Sequence, residues 1–435
     1  MTNDKTPIPR SRQTMKSSQR LALSAAIAGA STLPQLALAG GFSLYEISTP
    51  DVGLASAGYA ARAQDASTVY KNPAGMSLLD GPQVQAGAQL TYGNVTFSKN
   101  DNTGPLLGSD NGGNAVGALP GASLFLTHQL SDRFAVGFGT FSSFGLASKY
   151  NSDWVGRYYI QQGALLGVSL MPAASFKATD WLSVGAGLNA MYGYLDNKVA
   201  VRTAGAGDGQ MKIQDSTWGF GGDAGILVEP VKGTRIGVTY VSPVKLDFKA
   251  TPSFSNLGIL GNQPIFSSPP QLNLGMTVPQ SVMLSAYHEL NAKWAVMANV
   301  GWQNWSQFGK VDVGVDSANP QSLTANLNYQ DTWHGAIGAQ YHASDKWQFS
   351  GGFAYDSSSV SDANRTLSAP MGEAYRIGVG AQYQLSEKLN LGAAYEFMWG
   401  GDMPVTQNST YRGNVSGGFN GTWFSFFTLN ASWKF

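Results

Sequence analysis

The sequence predicts an all-β chain: a 14-stranded antiparallel transmembrane β-barrel with an N-terminal hatch in its lumen. Three observations carry that expectation. Only 12% of the 435 residues are charged, with 53 glycines and 18 tyrosines, against about 25% charge in ordinary soluble domains. The apolar residues alternate with polar ones; after Ala39 no run approaches the roughly 18 residues that a membrane helix needs. Short polar turns recur about every 50 residues, a spacing that suits two membrane strands and one outer loop.

The N-terminus reads as a leader. Lys16 and Arg20 precede an apolar stretch from Leu21 to Ala30, and Ala37-Leu38-Ala39 is an A-x-A cleavage site. Residues 1–39 are expected to be a signal peptide, with Met1 or Met15 as the start and Gly40 as the mature terminus. Residues 40–81 are the expected hatch and residues 82–435 the barrel. Formal net charge is zero, which gives no electrostatic footprint for nucleic acid. The chain has no cysteine, so disulfides and thiolate chemistry are excluded, as suits passage through an oxidising periplasm. His128, His288, His334 and His342 are scattered without metal spacing. No nucleophile stands beside an acid–base pair. Neither a cofactor nor an enzymatic activity is expected.

The last strand shows the barrel pattern best. Phe427, Leu429, Ala431, Trp433 and Phe435 hold one phase; Thr428, Asn430, Ser432 and Lys434 hold the other. Successive strand side chains point to opposite faces, so one face meets lipid and the other the lumen. The same alternation marks Leu182–Tyr194, Trp218–Val228, Tyr375–Leu385 and Leu389–Trp399. Turns at 130–134, 177–181, 229–234, 289–294, 342–347 and 385–390 join strands 2–3, 4–5, 6–7, 8–9, 10–11 and 12–13. A first and a last strand complete 14. The segments 98–120, 148–156, 202–215, 251–279, 310–328, 357–372 and 401–422 are the expected outer loops. Trp181, Trp294 and Trp347 belong to an inner aromatic girdle.

Residues 40–81 break the strand rhythm. They are rich in small residues, and Phe42, Leu44, Leu54 and Tyr70 need burial. A 14-strand lumen leaks unless filled, so this segment is the natural filler. Its residues Gly41-Phe42, Glu46, Gly53-Leu54-Ala55, Ala57-Gly58, Asp65-Ala66-Ser67 and Asn72-Pro73-Ala74-Gly75-Met76 resemble the N-terminal hatch of the FadL/TodX family of hydrophobic-compound transporters. The resemblance continues through Asp132-Arg133-Phe134, Phe144-Gly145-Leu146, Trp154-Val155-Gly156-Arg157-Tyr158, Trp305-Ser306-Gln307-Phe308 and the terminal Phe435, and so covers the mature chain.

That resemblance implies capture of an apolar ligand by outer loops, passage to a pocket beside the mature N-terminus, and lateral release where the third strand kinks inward. It implies Asn72, Pro73 and Ala74 as the hatch motif and Phe42, with its neighbour Leu44, as ligand contacts or hatch anchors. The resemblance places the opening at Gly137, Gly139 and Phe141; glycine permits a bulge or kink there, but glycine is common on the inward face of the strands, so the position in the family pattern carries this expectation. Phe254, Leu257 and Phe266 lie in an unusually apolar loop, either a collecting groove or a self-packed cap. Arg157 and Arg376 fall on inward phases of strands 4 and 12. Each either holds a fatty-acid carboxylate or joins a luminal salt bridge with Asp223 or Glu396; the salt bridge is favoured.

The expected function is transport of a hydrophobic small molecule across the bacterial outer membrane, long-chain fatty acids first and small aromatic hydrocarbons second. A general diffusion porin is the rival, and an adhesin or assembly factor a further one. The surroundings are outer-membrane lipid and lipopolysaccharide, and the barrel is expected to act as a monomer.

Overall fold

The computed structural model describes residues 45–203, 207–316 and 320–435. The leader, Gly40, Phe42 and Leu44 lie outside the described residues. Fourteen antiparallel strands close a barrel: β1 Gln83–Asn94, β2 Gly117–Gln129, β3 Phe134–Lys149, β4 Gln162–Lys177, β5 Leu182–Val201, β6 Gly209–Val231, β7 Thr234–Val241, β8 Ser281–Glu289, β9 Trp294–Gln303, β10 Thr332–His342, β11 Trp347–Asp356, β12 Ala374–Gln384, β13 Leu389–Gln407 and β14 Val415–Lys434. Each pairs with the next, and β14 pairs with β1 from Gln83↔Lys434 to Asn94↔Trp423. All six short turns fall where the polar breaks place them. Five repeat one geometry: the N–H of Leu130, Ala178, Leu290, Ala343 and Leu385 each bonds the carbonyl four residues on, at 2.8–2.9 Å.

The outward phase is apolar. Phe138, Leu170, Leu188, Phe220, Ile226, Ile337 and Leu429 are all exposed, which is the expected state of a lipid face. Trp181, Trp294 and Trp347 are exposed at the strand starts. Trp294 stacks beside Tyr341, and Trp347 beside Tyr383, both at 4.6 Å between centroids.

Two expected loops are partly strand. The β13–β14 hairpin continues through most of 401–422, and β6 begins at Gly209 inside 202–215. Their inward residues stay apolar and buried to the top, as with Val199, Met211, Val405 and Val415, because loops pack against them. Two other expected loops, 251–279 and 310–328, carry most of a four-stranded sheet built from Val244–Ala250, Gln271–Val278, Lys310–Asp316 and Gln321–Asn326. Leu246 and Phe248 from this sheet pack against Gly193 of β5. The sheet therefore folds over the mouth.

Residues from Tyr45 onward lie against the inward faces of the strands. Gly58 donates to Asn299 Oδ1 at 3.1 Å and Ala60 to Ser285 Oγ at 3.0 Å. Asp51 is buried and pairs with Arg62 and, at 3.0 Å, with Lys71. The wall admits this segment through glycine. Gly185 and Gly225 face each other across β5 and β6; a Cβ on Gly225 would overlap Asn72 Oδ1, and one on Gly185 would stand 2.5 Å from the Pro73 carbonyl carbon. Gly352 and Gly378, opposed across β11 and β12, receive the carbonyls of Leu54 and Val52 in the same way.

Candidate ligand route through the barrel wall

The β2–β3 hairpin zips for six rungs, from Gln129↔Ala135 to Leu124↔Thr140, and then parts. Above that rung β2 pairs only with β1 and β3 only with β4. The strands meet again at the outer side, where Lys149 N–H bonds Ala115 O at 2.7 Å. Between these points is a window in the wall. An unpaired N–H or C=O facing lipid costs several kcal/mol, so the window needs local compensation. Ser142 and Ser143 form a bulge in β3, together opposing the single residue Val168 of β4. Ser142 Oγ bonds Gly167 O at 2.9 Å. The bulge also inverts the strand's phase, because Phe141 and Phe144 are both buried. Gly145 follows at φ 135°. Opposite, Pro120 lies on the stretch of β2 with one neighbour, where a missing N–H is tolerated.

Gly137 and Gly139, the residues expected to open the wall, stay in the ladder on both sides: Gly137 faces Thr127 and Ala173, Gly139 faces Phe125 and Met171. The parting comes after Thr140. Gly137 instead makes room for the luminal segment; a Cβ there would stand 2.5 Å from Met76 Sδ and 2.6 Å from Val69 Cγ2. Phe141 does stand at the window, between Phe125 at 5.7 Å and Tyr70 at 4.3 Å.

A cavity of about 300 Å³ runs inward from the window. Its outer end touches Leu166 and Leu119, and its inner wall is Met398, Phe424 and Phe426. Its floor is Glu46 to Thr49 of the luminal segment. Glu46 meets a buried ionic cluster. Arg376 of β12 pairs with Glu46, with Asp356 at 2.6 Å and with Glu396 at 3.4 Å. Asp356 also holds His334 Nδ1 at 2.7 Å, and Tyr45 stacks on His334 at 4.2 Å. Glu396 is thus one of the anticipated partners of Arg376; Asp223 forms no ion pair among the described residues.

The other anticipated residues lie elsewhere. Arg157 is not on strand 4; it sits in the loop before β4, because Trp154 buries itself there and bonds Ile160 O at 2.6 Å. Arg157 binds Asp208 at 2.7 Å, Leu107 O at 2.7 Å and the Tyr158 hydroxyl at 3.2 Å, tying three outer segments together. Phe254 and Phe266 pack edge to face at 5.1 Å in the outer loop, with Leu257 buried beside Gly209. Asn72 donates to Ala60 O and Ile226 O and accepts from Ala74 N–H, so with Pro73 and Ala74 it ties the luminal segment to β6. Glu46, Pro120 and the serine bulge were not singled out as site residues. Phe424 and Phe426, aromatic residues on the polar phase of β14, were the available signal for an apolar cavity.

Comparison with known proteins agrees with this architecture. The family model described as outer membrane protein transport protein (OMPP1/FadL/TodX) matches residues 30–435. The long-chain fatty acid transport protein of Escherichia coli K12 is 27% identical over 424 residues, covering 89% of this chain and 93% of that one. The crystal structure of a Pseudomonas aeruginosa FadL homologue superposes with a TM-score of 0.82 at 23% identity, covering 91% of this chain and 100% of the other. The Ralstonia pickettii toluene transporter TbuX gives 0.66 at 20% identity, over 91% and 100%.

Proposed function

We propose that this chain, which belongs to the OMPP1/FadL/TodX family of outer-membrane transport proteins and is a transport protein rather than an enzyme, carries long-chain fatty acids into the cell through the window between β2 and β3. The observation behind this reading is the interrupted β2–β3 ladder opening onto an apolar cavity. An acyl chain in such a cavity is stabilised by roughly 0.8 kcal/mol per buried CH₂, and it leaves the wall directly into lipid. The choice of fatty acid rests on the relative at 27% identity that bears that name.

The luminal segment acts as the hatch in this reading, closing the lumen to water. Arg376 serves in the resting state to hold Glu46, since three carboxylates already surround its guanidinium. Arg157 serves as a clamp between outer segments, and the Phe254–Phe266 loop as the first apolar contact outside.

The chain has no native cysteine, so a thiol cross-link tests the window cleanly. Bridging Ser123→Cys on β2 to Ser142→Cys on β3 with a bismaleimide should abolish fatty-acid uptake while detergent-solubilised protein still binds fatty acid. Uptake that survives full cross-linking overturns lateral exit and sends the solute past the luminal segment to the periplasm. Uptake of toluene but not oleate by the uncross-linked protein overturns the substrate class alone.

A further inference from the structure

The outward face of β4, β5 and β6 changes character above its outer aromatic residues. Val168, Tyr192 and Trp218 share one row, and Leu166, Tyr194 and Ser216 the row two residues higher. Four residues beyond Tyr194 stands a row of Gln162, Lys198, Lys212 and Ser253, one from each of four neighbouring strands. Alternation fixes their direction. Asn197, Val199, Met211 and Ile213 are buried on the inner side, so Lys198 and Lys212 project outward.

Lys198 lies directly opposite Lys212. Like charges so placed repel. Lys212 is partly answered by Asp196 at 3.5 Å, whereas Lys198 forms no ion pair among the described residues. The two ammonium groups border a concavity of about 370 Å³ that Gln210, Ser253 and Ser255 complete.

We propose that this row binds a phosphate of the lipopolysaccharide headgroup in the outer leaflet. Height selects that partner. The aromatic residues mark the upper edge of the hydrocarbon. Lys198 stands four residues beyond Tyr194, about 13 Å along the strand and about 10 Å along the membrane normal at the usual barrel tilt. That is the level of phosphorylated sugars. A phosphate between the lysines turns their repulsion into two charge-assisted bonds; Gln210 and Ser255 offer neutral donors to its other oxygens, while Gln162 donates one N–H to Asp196 Oδ2 at 3.3 Å and Ser253 Oγ donates to the Lys212 carbonyl at 3.4 Å. The strand Ser253–Ser255 carries Phe254, so the bound headgroup also steadies the base of the apolar outer loop.

The test is native mass spectrometry of the full barrel, purified free of lipopolysaccharide and titrated with bisphosphorylated lipid A or its enzymatically dephosphorylated form. Removing the phosphates should weaken binding by about tenfold or more. The Lys198→Ala/Lys212→Ala double variant should show the same loss, the Lys198→Arg/Lys212→Arg variant should retain binding, and Lys245→Ala should be neutral. Heat-modifiable gel mobility verifies that each variant is a closed barrel. Equal binding of both lipid A forms, or unchanged binding by the double alanine variant, overturns the proposal. So does full displacement by millimolar inorganic phosphate, which would make this a site for soluble anions.

Discussion

Two seams of this barrel invite comparison. The β1–β14 seam joins strands more than 300 residues apart and has to find its register without a connecting turn, yet it pairs without interruption from Gln83↔Lys434 to Asn94↔Trp423. The β2–β3 seam is a tight hairpin, the easiest pairing to form, and it stops after six rungs. Loop-closure entropy predicts the opposite ranking. The open seam is therefore written into its own residues: a bulge with serine to satisfy it, a glycine at positive φ, and a proline on the facing strand.

The comparison is broken most severely by removing the bulge. Deleting Ser142 should bring Phe144 to Lys149 back into phase with Phe141 and let β3 zip onto β2 as β14 does onto β1. Fatty-acid uptake should fall more than about tenfold, since each restored ladder bond is worth roughly 0.5–1.5 kcal/mol. Amide exchange across 117–123 should slow at the same time. Uptake unchanged with the ladder extended would remove the window from the transport route.

A milder closure comes from Pro120→Val, which returns one N–H to β2. One added bond shifts the equilibrium by roughly a factor of 2 to 10, and uptake should fall within that range. The β1–β14 seam supplies the control. Gly87→Cys and Asn430→Cys, opposite each other in register, can be cross-linked without loss of uptake if only the β2–β3 seam opens.

The smallest effect separates the window from the segment behind it. Burial pushes the Asp65 carboxyl up, but Lys71 and Arg62 outweigh burial and hold it below the ordinary carboxylate range. A depressed folded value means that Asp65 stabilises the luminal segment above the unfolded pKa, near 4, and that this contribution fades as pH falls through the folded value. Amide protection factors in residues 58–75, taken against intrinsic exchange at the same pH, should fall on acidification towards pH 3, more in the wild type than in Asp65→Asn, while the rungs of β1–β14 keep their protection. An equal fall in both proteins would assign the acid response to other groups.

The ring was legible because its signals are local: period-two alternation, and turns that repeat one five-residue geometry. The outer sheet was not, since it pairs loops that are far apart in sequence. Leu272, Leu274 and Met276 do alternate, but as part of a long apolar loop they read as a collecting groove or a self-packed cap, without the strand pairing that makes them the buried face of a sheet. Arg157 was misplaced by extending strand 4 outward, whereas Trp154 holds that stretch as a separate loop. The charge cluster was half visible. Arg376 and Glu396 share the inward phase, while Glu46 reaches them through tertiary placement alone. At the window, glycine drew attention to Gly137 and Gly139, when the departures from strand chemistry were proline and paired serines.

The glycine pairs under the luminal segment carry one more consequence, which concerns assembly. A strand that slips by one residue turns its whole pattern to the other face. A one-residue slip of β6 against β5 would take Gly225 away from Gly185 and put the Cβ of a neighbour against Asn72. The same holds for Gly352 and Gly378 beneath Val52 and Leu54. The N-terminal segment thus works as a gauge inserted into the closing cylinder: it seats fully only when distant hairpins have chosen their correct stagger, and a mispaired wall cannot swallow it.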